Sequence, residues 1–254
     1  MWIDFGRGRF NEYKRVDKVG EWLNMRILVI IPAYNEAANI KRVVDNLIRN
    51  YPQYDYVVVN DGSKDNTADI CRDNNYNLLN LPVNLGLAGA FQTGIKYAYS
   101  KNYNAAVQLD GDGQHDPKYI KRMIECVQAT DADIVIGSRF VTKKKPHSIR
   151  MLGSNIIQFA IKVTTHKRIT DPTSGLRLFN RTVLKEFAVN MNYGPEPDTV
   201  SYLLRNGSKI QEVQVEMKER LFGQSYLSMA KSIQYMIRMF TSIIFIQQFR
   251  KRSI

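Results

Sequence analysis

The segment Asp110-Gly111-Asp112-Gly113-Gln114-His115-Asp116 gathers three carboxylates into a glycine-rich turn. Carboxylates this close repel one another unless protons or a cation intervene. A hard divalent ion, Mg²⁺ or Mn²⁺, resolves the repulsion with oxygen ligands. A calcium loop of the EF-hand type does not fit. It needs glycine at the sixth position and glutamate at the twelfth, where this chain has His115 and Lys121. The bland alternative is a solvated Asp-Gly turn.

Two further clusters carry chemistry. Asp61 stands in VVVNDGSKDNT (57–67) beside Gly62 and Ser63. There it can accept hydrogen bonds from a base or ribose edge, or simply cap a turn. Gly86, Gly89 and Gly94 in NLGLAGAFQTG (84–94) let backbone approach a partner such as a diphosphate at a helix start. No GxGxxG follows a strand and no Walker motif occurs, so neither a dinucleotide fingerprint nor a P-loop is present.

The elements that position these clusters alternate. Apolar, β-branched runs at 26–31, 56–59, 77–81, 105–109 and 134–136 read as strands. Helical spacing fills 36–50, 65–75, 87–100 and 117–129, with Asp65 and Asp116 as expected N-caps. Residues 148–166 read as a helix, and 176–180 and 211–215 as strands. This order implies an α/β domain with a single, mainly parallel sheet flanked by helices. Tyr34-Asn35-Glu36, Asn60-Asp61-Gly62 and Asp110-Gly111-Asp112 all follow strands. They therefore gather at the carboxyl edge, where such sheets bind ligands.

The chain has 254 residues, 44% hydrophobic and 24% charged, which excludes disorder and small stapled scaffolds. Two cysteines, Cys71 and Cys126, form no framework and read as packing residues of a reduced, cytosolic protein. A net charge of +12 draws polyanions: nucleic acid, an anionic membrane face or phosphorylated substrates. Residues 1–24 mix four acids with five bases and have no apolar core, so they are not a signal peptide. They read as a tail or as sequence upstream of the true start at Met25. The expected domain is 25–225, followed by a basic helical segment at 226–254.

Six segments in register resemble the family 2 glycosyltransferases with the GT-A fold: IPAYNE (31–36), VNDGSKDNT (59–67), NLGLAGAFQTGIKYA (84–98), LDGDGQHDP (109–117), GSRF (137–140) and DPTSGLRLF (171–179). The polyprenyl-phosphate sugar synthases, of the dolichyl-phosphate mannose synthase type, are the most similar subgroup. The resemblance implies that Pro32, Ala33, Tyr34 and Glu36 line a nucleotide pocket with Gly86 and Gly89, and that Asp61 holds the base or ribose. Asp110 then meets the sugar-nucleotide, and Asp112 and Gln114 meet the metal. The implied reaction inverts the anomeric carbon as nucleoside diphosphate leaves, with UDP-sugars favoured as donor and GDP-mannose next.

A hydroxyl acceptor needs a general base. A lipid phosphate needs cations instead, best as planar Arg forks. The chain offers Arg139, Arg150 and Arg177, with Lys143, Lys144 and Lys145. In the resembling synthases, arginines matching Arg139 and Arg150 bind the acceptor phosphate, and Asp171, Ser174 and Gly175 match an acceptor-side loop. Glu196 and Asp198 lie where hydroxyl-acceptor relatives carry a base, so transfer to a surface glycan is the alternative. Their bland reading is a helix start.

At 226–249 apolar residues recur at helical spacing: Met229, Ile233, Met236, Ile237, Phe240, Ile243 and Ile244. Lys231, Gln234, Arg238 and Thr241 lie largely on the other face. From 217 to 254 seven bases against one acid give +6. Such an amphipathic basic helix implies a membrane surface or a small membrane subunit as partner; the bland alternative is a helix that packs its apolar face on the domain. The resulting expectation is a peripheral enzyme at the cytoplasmic face of the membrane, moving sugar onto polyprenyl (undecaprenyl) phosphate. A nucleic-acid-binding module and a silent nucleotide-sugar-binding scaffold are the readings from other classes. The first leaves the Asp110–Asp112 pair unexplained, and no nucleic-acid partner is expected.

Overall fold

A computed structural model describes residues 25–146, 148–190, 194–218 and 229–250. Among the described residues seven strands form one sheet: β1 (Ile27–Ala33), β2 (Asp55–Asn60), β3 (Leu78–Asn80), β4 (Ala105–Gln108), β5 (Ile134–Ser138), β6 (Arg177–Asn180) and β7 (Ile210–Gln214). The helices are α1 (Ile40–Asn50), α2 (Thr67–Asp73), α3 (Gly86–Ser100), α4 (Tyr119–Thr130), α5 (Ile149–Thr165), α6 (Arg181–Val189), α7 (Pro197–Arg205), α8 (Met229–Thr241) and α9 (Gln247–Phe249), with a π-helical turn at Ser242–Ile246 joining the last two. The proposed 1–24 tail lies outside the described residues.

The strand order is β3-β2-β1-β4-β6-β5-β7. Its centre is apolar because both faces are covered. Along β1, Leu28 and Ile30 pack on the side of α3, α5 and α6, while Val29 and Ile31 pack on the side of α1 and α4. That two-sided burial is why the run is continuously β-branched instead of alternating.

The chain steps outward from β1 to β2 and β3, then returns to β4 on the other side of β1. The loops after β1 and β4 therefore diverge at a topological switch point, which opens a crevice at the carboxyl edge. Strand β6 alone runs antiparallel, pairing with both β4 and β5. Gln108 at the end of β4 thus pairs with Arg177 at the beginning of β6. This reversal delivers the segment before β6 to the same edge as the ends of the parallel strands.

Some expected boundaries shift, for physical reasons. Helix α1 starts at Ile40 and not at 36, because the loop before it is tied to its neighbour. There Thr67 Oγ1 accepts from Glu36 N at 2.9 Å and Asp65 Oδ2 from Ala37 N at 3.1 Å. Asp65 and Asp116 each accept the amide two residues on, Thr67 N and Lys118 N, at 3.0 Å. They close the turns that precede α2 and α4, while the N-cap positions fall at Asn66 and Lys118.

Helix α8 also departs from a simple amphipathic helix. Ser232 and Met239, with Ile243 of the π-helical turn, are buried against the domain, yet Ile233 and Ile237 face outward, as do Phe245, Ile246 and Phe249 beyond it. Its apolar residues thus occupy two sides. Among the described residues, no helix is long and apolar enough to cross a membrane.

Candidate active site

One half of the site is built at the switch point. Ala33 O accepts from Asp61 N at 2.9 Å, joining the ends of β1 and β2. Asn35 takes a positive φ of 54° and exchanges contacts with the neighbouring loop. Its amide donates to Ser63 Oγ and its side-chain oxygen accepts from Lys64 N. Glu36 Oε2 accepts from Asn39 Nδ2 at 2.8 Å. Asp61 is buried, and its Oδ1 accepts from Leu85 N at 2.7 Å. Burial pushes this carboxyl above the ordinary aspartate value, against the pull of the Leu85 and Gly86 amides. Pro32 and Ala33 therefore end β1, Tyr34 and Glu36 follow it, Asp61 follows β2, and Gly86 and Gly89 open α3.

Gly62 is required at its position. Its φ is +62°, and a Cβ there would stand 2.6 Å from the Val83 carbonyl carbon. The turn and the backbone before α3 can meet only without a side chain.

The three carboxylates after β4 separate by environment. Asp116 is consumed locally: Lys218 Nζ lies 3.0 Å from its Oδ2, and Tyr51 Oη and Lys118 N donate to its Oδ1. Its carboxyl sits below the usual range, burial being outweighed by these partners. Asp112 Oδ1 accepts from Gln114 N at 3.0 Å, and Gln114 Nε2 donates to Lys218 O at 3.4 Å.

Asp110 faces the interior of the site. Burial pushes its carboxyl up, but His115, Gln108 and the charge of Arg177 outweigh that and hold it below the ordinary value. His115 Nδ1 stands 3.3 Å from Asp110 Oδ2, and Gln108 Nε2 donates to Oδ1 at 3.3 Å. The sequence alone marks neither His115 nor Gln108 for a role, since one lies between candidate ligands and the other inside an apolar strand. Asp110, Asp112 and the Gln114 amide oxygen are hard donors suited to Mg²⁺ or Mn²⁺. Among the described residues no three His, Cys, Asp or Glu side chains are arranged to hold a metal ion, so these donors form a partial set.

Across from Asp110 lie the cations. Arg139, just after β5, places Nε 2.7 Å from Asp171 Oδ2 and Nη2 2.8 Å from Oδ1. Asp171 is fully buried, and Arg139 holds its carboxyl below the ordinary range against the opposing effect of burial. Arg177 is also buried and donates to two carbonyls, Ser174 O at 2.9 Å and Pro172 O at 2.7 Å. Ser174 Oγ donates to Gly137 O at 2.5 Å. Gly175 lies against Asp110: a Cβ there would stand 2.3 Å from Asp110 Oδ2. Arg150 belongs to the first turn of α5, and its side chain lies outside the described residues.

These groups meet around a cavity of about 330 Å³ whose wall includes Asp110, Arg139, Ser174, Arg177, Glu196 and Tyr235. Tyr235 comes from α8, so the C-terminal helix closes one side. Nothing in its spacing distinguished Tyr235 from a packing residue. Glu196 and Asp198 part company. Glu196 lines the cavity and accepts from Arg238 Nη2 at 2.7 Å. Burial raises its carboxyl, opposed by Arg238. Asp198 Oδ2 accepts from Ser242 Oγ at 2.7 Å and Gln247 Nε2 at 3.3 Å, which pins the π-helical turn. Of the three lysines, Lys143 pairs with Glu216 and Lys145 donates to Ser154 and Gln158. None of Lys143, Lys144 and Lys145 lines this cavity.

A mixed sheet flanked by helices, with paired aspartates at the end of its fourth strand, has the GT-A architecture of nucleotide-sugar transferases. The chain belongs to glycosyl transferase family 2, whose model matches residues 28–188. It is similar to an undecaprenyl-phosphate mannosyltransferase of Micrococcus luteus, at 31% identity over 80% of this chain and 88% of the relative. It is also similar to a UDP-N-acetylglucosamine–dolichyl-phosphate N-acetylglucosaminyltransferase of Methanococcus voltae, at 36% identity over 63% and 71% of the two chains. The fold matches that of glucosyl-3-phosphoglycerate synthase from Mycobacterium tuberculosis, solved with Mn²⁺, UDP-glucose and phosphoglyceric acid. That match has a TM-score of 0.69 at 14% identity, covering 94% of this chain and 87% of the other.

Proposed function

We propose that the chain transfers a sugar from a nucleoside-diphosphate-sugar to polyprenyl phosphate with inversion. The observation that carries this reading is Arg139, Ser174 and Arg177 lining one cavity with Asp110. Two buried or half-buried guanidinium groups opposite the donor aspartate suit an anionic acceptor. The relatives named for undecaprenyl- and dolichyl-phosphate acceptors support the same class.

An acceptor phosphate oxygen attacks the anomeric carbon. The bond from that carbon to the diphosphate oxygen breaks, and nucleoside diphosphate leaves with the electron pair. The single displacement inverts the centre. The phosphate is already ionised, so no protein base is required. Arg139 and Arg177 hold the acceptor, and Asp171 acts by orienting Arg139. The Pro32–Glu36 loop, Asp61 and the Gly86–Gly89 turn cradle the nucleotide. Mg²⁺ or Mn²⁺, held by Asp112 and Gln114 beside Asp110, would neutralise charge growing on the leaving diphosphate. A UDP-sugar is the favoured donor, with GDP-mannose next. The site works at the cytoplasmic face of the membrane, reached through the apolar outer surface or a small membrane subunit.

Glu196 supports a second reading, transfer to a glycan hydroxyl, because it lines the cavity and its carboxyl is raised. Its pairing with Arg238 weighs against a free base.

The test is transfer of label from a panel of nucleotide sugars into undecaprenyl phosphate in detergent with Mn²⁺ or Mg²⁺. Label in an organic-extractable, acid-labile lipid is expected. Metal-dependent donor hydrolysis with transfer only to a glycan would sink the lipid-phosphate reading.

A further inference from the structure

A second hollow of about 370 Å³ lies beside α5 and shares no lining residue with the acceptor cavity. Lys143, Lys144, Lys145, Asn155, Gln158 and Arg168 line it. Lys143 is paired with Glu216, whereas Lys145 is held by the neutral Ser154 and Gln158. Burial lowers the Lys145 ammonium, and Arg139 and Arg168 add to that against Asp171 and Glu212. Those two acids are already engaged, Asp171 by Arg139 and Glu212 by the backbone of Thr170 and Asp171. From 141 to 170 the sequence has seven Lys or Arg and no Asp or Glu.

The same helix presents an apolar stripe to solvent. Leu152, Ile156, Phe159 and Val163 are exposed, at spacings of four, three and four residues that place them on one face. Asn155 and Gln158 flank that stripe on the side of the hollow, while Gly153 packs against Met236 of α8 on the other. An apolar face bordered by a cationic hollow with no acid in its lining matches the cross-section of an anionic bilayer surface: acyl chains beside phosphate.

We propose that this hollow receives the phosphate headgroup of an anionic membrane phospholipid while the α5 stripe lies in the bilayer surface. The inference rests on the reading that the acceptor is a membrane-borne lipid phosphate. It assigns a separate site, for a lipid that is not consumed, which seats the acceptor cavity at the membrane.

The test is sedimentation of the whole chain with phosphatidylcholine vesicles, with and without phosphatidylglycerol. Tighter binding to the anionic vesicles is expected. Lys144→Glu with Arg168→Glu should weaken that binding at least about tenfold, given the worth of each basic residue near an anionic surface. Lys121→Glu with Arg122→Glu makes the same charge change on α4, across the sheet, and should keep most of the binding. Phe159→Ser should weaken binding to both vesicle types. Equal loss in the two charge-reversed variants, or no anionic preference in the parent, would overturn the site. Transfer in detergent separates the two readings. Transfer without anionic preference overturns the headgroup site alone; preference without transfer overturns the lipid-phosphate acceptor alone.

Discussion

Arg139 and Asp171 form a two-pronged pair, Nε to Oδ2 at 2.7 Å and Nη2 to Oδ1 at 2.8 Å, with the carboxylate fully buried behind the guanidinium. Both carboxylate oxygens face the arginine, so Asp171 is poorly placed to take a proton and well placed to aim Arg139 at the cavity. Asp171→Asn should cost about 3 kcal/mol, the lower end for breaking a buried pair, because Arg139 is partly exposed. Urea unfolding at neutral pH measures this. The Asp171 carboxyl is depressed in the fold, so its contribution is complete above the ordinary aspartate value of about 4. It fades as pH falls from there through the lower folded value. The gap between parent and variant should therefore close in acid. In assays, the variant should raise KM for the acceptor more than KM for the donor.

Gly175 and Asp110 test how tightly the site is packed. A methyl at Gly175 would stand 2.3 Å from Asp110 Oδ2, so the carboxylate must turn aside. Gly175→Ala should leave thermal stability within about 1 kcal/mol and lower kcat about 10²-fold, the scale expected of a misplaced reacting group. Retained activity would show that Asp110 does not need this orientation.

Asp112→Ala should lower kcat about 10²–10³-fold, the scale of removing a group that stabilises developing charge. Chelation should abolish transfer, and added Mn²⁺ or Mg²⁺ should restore it. Calorimetric titration of a nucleoside diphosphate with and without metal reads the same role at the level of binding.

Glu196→Gln separates the two acceptor classes. Loss of a general base costs about 10²–10⁴ in rate. With an ionised phosphate acceptor the change should stay within about tenfold, set by the lost Arg238 pair. Asp198→Ala should act through docking: it frees Ser242 and Gln247, and limited proteolysis should release the C-terminal helix sooner.

Much of this was legible locally. Runs of β-branched residues and 3.6-residue spacing are short-range patterns, so the strands and α1 to α5 appear within a few residues of their expected places. The pair Asp110 and Asp112 needs only one turn to bring its carboxylates together. Helices α6 and α7 are less legible. Among their buried residues, polar Glu186, Thr199 and Ser201 interrupt the apolar spacing that marks a helix.

The rest depended on which segments meet. A strand's direction in a sheet is not written in its own periodicity, yet the reversal of β6 is what sets Arg177 beside Gln108 and one loop away from Asp110. Glu196 and Asp198 look equivalent in the chain. At a helix start they point apart, so one lines the cavity and the other pins Ser242. The C-terminal helix reads as amphipathic, and only its packing reveals that it buries one apolar side and shows another. Local chemistry thus decides the family and the kind of reaction. Long-range pairing decides which charges share a cavity, because contacts between distant segments follow from the closure of the whole sheet.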